Sequence, residues 1–327
     1  MCTAISFKPG STYFGRNLDY EFSYGEEVVI IPKNYPIKYK YKKESASHFA
    51  IVGMAHIENN FPLLYDGINE CGLGMAGLNF VGNCHYENYK ENKDNVASFE
   101  FILYILSTCR NVKEVKEKLK NINVTSDSFS PQLPPSQLQY LVSDADETIV
   151  IENRTSGINI FEHTIGVLTN NPPFEYQMAA LNNYRNISNK DPENTFSKDV
   201  DLSLYSRGMG AIGLPGDLSS QSRFIRVAFT KFNSTTFTND SENVNQFFHI
   251  LHSVEQQSGA CEIKEGKYEI TIYTSCCDLK KGIYYYTTYK NHQINAVNMH
   301  DIDLNKNELV TFKLLDDEHI NYQSKNT

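Results

Sequence analysis

The order of its segments predicts that this chain folds as an α+β protein with mostly antiparallel sheets. Strand-like runs come first, helices follow and strands return, the pattern of sheets packed in layers with helices. A second observation is what the chain lacks. Its 327 residues contain no internal repeat, low-complexity tract or linker-like segment, so a single domain over residues 1–327 is expected. A chain of this length can bury roughly 75% of its unfolded surface. With 40% hydrophobic and 21% charged residues, it needs no disulfide or metal staple.

Thr3–Phe7 and Thr12–Arg16 flank Lys8-Pro9-Gly10-Ser11, a hairpin with its special backbone residues at the bend. Glu27–Ile31, Phe49–Met54 and Leu73–Phe80 read as further strands, rich in Val, Ile, Phe and small residues. Ser98 is placed to cap a helix over Phe99–Cys109, and Asn111 with Glu114 resembles a capping box for Val112–Leu119. Three prolines between Asp127 and Gln137 predict an irregular, exposed loop. Strands follow at Tyr140–Ser143, Thr148–Glu152, Ile158–Phe161 and Gly166–Leu168, then helices at Phe174–Tyr184, Gln221–Phe232 and Val244–Gln256. The last expected strands are Tyr268–Ser275, Gly282–Tyr289, Gln293–Asn298 and Leu309–Leu314.

A net charge of −9 disfavours nucleic acid as a partner, because phosphate binding relies on clustered Lys and Arg. The apolar runs fall short of a membrane span, and the N-terminus lacks the basic and apolar regions of a signal peptide. Seven cysteines, an odd number at scattered positions, point to a reducing compartment and a cytoplasmic protein. Gly72–Gly77 and Gly208–Gly213 both spell G-x-G-x-x-G. Dinucleotide binding needs that motif to end a strand and open a helix. The first runs into strand-like sequence and the second meets Pro215 and Gly216, so both read as strands or turns. With no Cys-x-x-Cys and no His-Glu-x-x-His, no metal site is expected.

The chemistry-bearing residue is Cys2. If Met1 is removed, Cys2 carries a thiol and a free α-amine on one carbon, and an N-terminal amine can serve as base for its own nucleophile. Its ordinary pKa of about 7.7–8.0 suits a general base. Alternation along Phe14–Tyr20 puts Asn17 and Asp19 on one strand face, with Arg16 and Leu18 on the other. Arg16 and Asp19 alone could be a surface ion pair. The first hairpin, however, returns Arg16 to the Cys2 end, where a guanidinium favours thiolate and a carboxylate can hold the amine.

The Met1-Cys2-Thr3 start, the Phe14–Asp19 string, Asn69–Phe80, Gly166–Pro172, Gly213–Asp217 and Ser222-Arg223-Phe224 together resemble the choloylglycine hydrolases, in the same order from Met1 to about Tyr322. That family holds conjugated bile acid hydrolases and penicillin V acylases. The resemblance implies the N-terminal-nucleophile hydrolase fold, a four-layer αββα sandwich of two mostly antiparallel sheets. It implies Cys2 as nucleophile with its own amine as base, Asp19 bonded to that amine and Arg16 against the sulfur. Asn170 and Asn79 would hold the oxyanion, and Arg223 would complete the polar network. Read singly, Asn170 could shape a turn before Asn171-Pro172, Asn79 could be a satisfied buried amide and Arg223 a solvated helix charge.

The expected reaction is hydrolysis of the C–N amide bond of glycine- or taurine-conjugated bile acids without a cofactor. The alternatives are penicillin V or other N-acyl amide hydrolysis, and a catalytically silent binder of hydrophobic ligands. Asn79 favours the bile acid reading within the family, and matching the pocket loops implies Leu18, Tyr24, Tyr65, Phe129 and Leu133 as substrate-binding residues. The chain has no Trp, and Tyr140 and Tyr104 stand where relatives commonly carry one, so loop packing and the preferred acyl group are expected to shift. Family resemblance also implies a homotetramer.

Overall fold

The computed structural model describes residues 1–8, 12–44, 47–162 and 164–325. Among these, two large sheets lie face to face. One has six strands in the order Val167–Leu168, Cys2–Phe7, Tyr13–Tyr20, Ile270–Asp278, Ile283–Thr288 and Asn291–Asn298. The other has eight, ordered Gly157–Phe161, Thr148–Arg154, Leu138–Ser143, Gly74–Asn79, Phe61–Asn69, Ile51–Glu58, Glu27–Ile31 and Val310–Lys313. Every neighbouring pair in both is antiparallel.

Helices cover the outer faces. Phe101–Thr108 and Val112–Leu119 pack on the eight-stranded sheet, Ser220–Asn233 and Asp240–His252 on the six-stranded one. The result is the expected αββα sandwich. The inner strands are therefore buried on both sides, which explains their continuous apolar runs, while the edge strands Gly157–Phe161, Asn291–Asn298 and Val310–Lys313 stay partly exposed. In Glu27–Ile31, Val28 and Ile30 face the other sheet while Val29 and Ile31 face the helices. Each such side chain contributes about 1.5–3 kcal/mol by burial.

Several boundaries move. The Thr12–Arg16 strand runs on to Tyr20, and Phe61–Asn69, Asp94–Ala97 and Ile122–Thr125 are strands the sequence did not announce. Most of the first hairpin bend lies outside the described residues. Ser98 is not the cap: a 3-10 turn over Ser98–Glu100 opens the first helix, Glu100 accepts from the Ala97 N–H at 3.0 Å, and the Ser98 hydroxyl is unpartnered. At Val112–Leu119 the box is half formed. Asn111 Oδ1 accepts from the Glu114 N–H at 2.9 Å, but the Glu114 carboxylate reaches the Arg110 N–H rather than that of Asn111. The helix expected from Val244 begins a turn earlier, at Asp240, capped by Asn239. Of the glycine motifs, the first enters the Gly74–Asn79 strand and the second surrounds a 3-10 turn at Met209–Ala211.

Gly15 lies where the Tyr13–Tyr20 strand passes closest to its neighbour. A Cβ there would sit 2.1 Å from the Ser275 carbonyl oxygen. Gly15→Ala is expected to lower stability by at least about 1–3 kcal/mol through forced backbone movement, read as a lower urea midpoint. An unchanged midpoint would show that the two strands can part without cost.

Candidate active site

The hairpin register determines what stands beside Cys2. Cys2 pairs with Leu18 and Ala4 with Arg16, so all four side chains share the face turned toward the other sheet. Thr3, Asn17 and Asp19 take the helix-covered face, which is the alternation expected of Phe14–Tyr20. Cys2 is 3% exposed. Arg16 Nη2 donates to its Sγ at 2.5 Å, and Nη1 donates to the carbonyl oxygens of Gly77, at 2.5 Å, and Tyr65, at 3.4 Å. Burial opposes the charge on Arg16, yet Cys2, Tyr273, Asp66 and Asp19 together raise its pKa.

Asn170 meets Cys2 from the Val167–Leu168 end of the sheet. Its Oδ1 accepts from the Cys2 N–H at 2.8 Å and from Arg223 Nη2 at 2.8 Å, while its Nδ2 donates to the Asn79 carbonyl oxygen at 2.9 Å. The Asn170 backbone is pinned as well, its N–H donating to Ser220 Oγ and its carbonyl accepting from Gln139 and Gln177. Asn170 is thus neither a simple turn former nor loosely held. Arg223 is fully buried, which excludes the solvated helix charge. Its Nη1 donates to the Cys2 carbonyl oxygen and to Thr3 Oγ1, each at 2.6 Å, and lies 3.9 Å from Asp19 Oδ2.

Asp19 takes one hydrogen bond from the Thr271 hydroxyl at 2.6 Å on Oδ1, and its buried Oδ2 accepts none. Burial pushes its carboxyl up from the ordinary value, with Arg223 and the Met1 amine acting the other way. In the chain as it stands, the amine belongs to Met1. It donates to the Asp19 main-chain oxygen at 2.7 Å and pairs with the buried Glu269 carboxylate. Burial lowers its pKa, with Cys2 and Asp19 opposing. The Asp19 carboxylate therefore makes no hydrogen bond to that amine, and the Cys2 nitrogen is still a peptide N–H.

The five apolar positions fall into separate groups. Leu18 and Tyr65 pack against the core between the sheets, beside Arg16. Tyr24 is 42% exposed and stacks on Tyr20 and Phe22 at the surface. Phe129 packs on Phe61 and Phe99, and its N–H donates to the Leu133 carbonyl oxygen at 3.1 Å. Tyr140 is fully buried, its hydroxyl 3.2 Å from that of Tyr86, which donates to Ser136 in the proline-rich loop. Absent from the sequence expectations are Thr3, Thr271 and Asp66. The carboxylate of Asp66 among the apolar residues of Phe61–Asn69 was a signal for Asp66 alone.

Residues 2–312 match the choloylglycine hydrolase family, described as linear amide C–N hydrolases. The chain is 51% identical over 314 residues to a bile salt hydrolase/transferase of Lactiplantibacillus plantarum, covering 96% of this chain and 97% of that one. A second bile salt hydrolase/transferase, from Clostridium perfringens, is 40% identical over 319 residues, covering 96% and 97%. A solved conjugated bile acid hydrolase of Clostridium perfringens superposes with a TM-score of 0.91 at 38% identity, over 98% of this chain and 99% of that one. A penicillin V acylase of Agrobacterium tumefaciens shares the fold, with a TM-score of 0.77 at 18% identity over 95% and 91%. With its match running from Cys2 to Phe312, the chain belongs to the choloylglycine hydrolase family of linear amide C–N hydrolases.

Proposed function

We propose that this protein hydrolyses glycine- or taurine-conjugated bile acids with Cys2 as nucleophile once Met1 is gone. The observation that carries the reading is the guanidinium of Arg16 on the Cys2 sulfur, with Asn170 on the Cys2 nitrogen. Removing Met1 turns that nitrogen into an amine, which Asp19 would hold through its Oδ2, an oxygen that accepts no hydrogen bond as the chain stands. The amine takes the thiol proton, and the thiolate attacks the amide carbon. The oxyanion is held by the second Asn170 Nδ2 hydrogen and by Asn79, whose side-chain amide makes no hydrogen bond among the described residues. The amine passes its proton to the leaving nitrogen, and water then cleaves the thioester. Arg223 keeps Asn170, Thr3 and the Cys2 carbonyl in register. Leu18 and Tyr65, which lie beside Arg16, would contact the acyl group, and Tyr24, Phe129 and Leu133 would add apolar surface suited to a rigid steroid.

Incubation with glycocholate, taurocholate and penicillin V, measuring amine or side-chain acid released, tests the substrate. Cleavage of penicillin V alone would replace bile acids by penicillin V, and no cleavage of any would support the silent binder. Asn170→Asp keeps the acceptor but loses the donor. It is expected to lower kcat by about 10²–10³-fold, or about 2.7–4 kcal/mol, and near-normal kcat would remove Asn170 from the oxyanion site.

We also infer a single domain and a cytoplasmic protein, since all seven cysteines are unpaired. No helix among the described residues is long and apolar enough to cross a membrane. Exposed Phe196, Leu202, Leu204 and Tyr205 support a homo-oligomer, a tetramer by family likeness.

A further inference from the structure

Behind Arg16, on the side away from Cys2, lies a carboxylate that the proposed chemistry does not use. Asp66 is fully buried between the sheets. Tyr273 donates to its Oδ2 at 2.5 Å, and Tyr284, at 2.7 Å, and Ser275, at 3.3 Å, donate to its Oδ1. The same Ser275 oxygen accepts from the Arg16 N–H at 3.1 Å. A buried carboxylate given three hydroxyl donors and no cation in contact is costly unless a charge nearby balances it. Arg16 is in the mirror-image position. Its guanidinium touches carbonyl oxygens and the Cys2 sulfur, with no carboxylate in contact among the described residues.

One backbone irregularity brings the two together. The register of Phe61–Asn69 slips at Tyr65, because Met54 pairs with Asp66 while Ala55 pairs with Leu64. The extra residue turns both Tyr65 and Asp66 toward the inter-sheet space. The bulge thus delivers the Tyr65 carbonyl to Arg16 and the next carboxylate behind it. From the packed strands, the titratable and charged groups facing Asp66 are Arg16, Tyr273, Cys277 and Tyr284, with Glu26 acting on Tyr273 from further out. Burial pushes the Asp66 carboxyl up, and Arg16 with the three hydroxyls works against that.

We propose that Asp66 is a positioning residue for the thiol chemistry, a buried counter-charge that tempers the hold of Arg16 on the Cys2 thiolate. This rests on the reading of Cys2 as nucleophile. A thiolate stabilised too firmly is a weaker nucleophile. With Asp66 in place, Arg16 has a buried carboxylate behind it, as Arg223 has Asp19 beside it.

The test needs no substrate. In Met1-free protein, alkylation of Cys2 by iodoacetamide is followed on the N-terminal peptide, so that the other cysteines do not interfere. Asp66→Asn is expected to raise the ratio of the rate near pH 6 to that near pH 9 by at least about threefold, as loss of a buried negative charge favours the thiolate. The pH optimum of amide hydrolysis moves down with it. A merely structural role would change both rates alike, so an unchanged or smaller ratio overturns the proposal. Should Asp66→Asn fail to fold, Tyr284→Phe removes one donor from the carboxylate and is expected to move the ratio the same way by less. No movement there overturns it equally. Failure to cleave glycocholate would sink the substrate reading and leave this ratio untouched.

Discussion

Cys2→Ala is expected to abolish amide hydrolysis, with kcat falling by roughly 10⁴–10⁶-fold, while the protein remains folded. The two halves of that expectation have separate causes. In the proposed chemistry the thiol forms the acyl bond, whereas Arg16, Asn170 and Arg223 act through charge, hydrogen bonding and geometry. Asn170 and Arg223 engage the Cys2 backbone, which alanine retains: the N–H to Asn170 and the carbonyl to Arg223 survive the change. What is lost is one buried sulfur and its hydrogen bond from Arg16, whose Nη1 still donates to the Gly77 and Tyr65 carbonyl oxygens. A chain that keeps Met1 supplies the complementary test. It has the thiol but no free amine at residue 2, and it is expected to be as inactive as the alanine variant. Intact mass before each assay tells the two states apart, and full activity with Met1 in place would remove the amine from the mechanism.

What the sequence disclosed about this site depended on how local each constraint is. Glu27–Ile31 and Val112–Leu119 were legible to the residue, because a Val/Ile run and a capped amphipathic repeat carry their own boundaries. Arg16 and Asp19 could be set beside Cys2 because they are one hairpin away and strand alternation is a short-range rule. Phe61–Asn69 was hidden because Pro62, Asp66 and Gly67 interrupt its apolar pattern. Those interruptions mark the bulge and a close backbone crossing, so the features that hid the strand are the ones that shape the site. Thr271 and Asp66 gain their meaning from partners about 200 or more residues away in sequence, at separations where no local pattern reaches. The family resemblance supplied Asn170 and Arg223 by position. It did not convey that the Asn170 oxygen, rather than its nitrogen, faces the Cys2 backbone.

Arg223→Leu is expected to be the most destabilising single change near the site, costing about 3–5 kcal/mol at neutral pH in the same processing state as the parent. Part of that loss is insensitive to pH: four acceptors, on Cys2, Thr3, Asn170 and Leu218, lose their donor. The remainder comes from Asp19, which would keep its burial and lose its largest stabilising charge. Removing Arg223 raises the folded-state pKa of that carboxyl further above its unfolded value of about 3.9. The sign then follows. While pH lies below the parent's own raised folded-state pKa, Asp19 is protonated in both folded proteins, and this part of the penalty is absent. Above it the folded parent ionises while the folded variant resists, so the deficit grows by up to about 1.4 kcal/mol per pH unit until the variant's folded-state pKa is reached. Urea unfolding near pH 5 and near pH 7.5 should therefore show a deficit that grows with pH. Adding Asp19→Asn should recover the growing part and leave the constant part. A deficit equal at both pH values would mean that Asp19 is not held ionised by Arg223, and that hydrogen bonding alone accounts for the arginine.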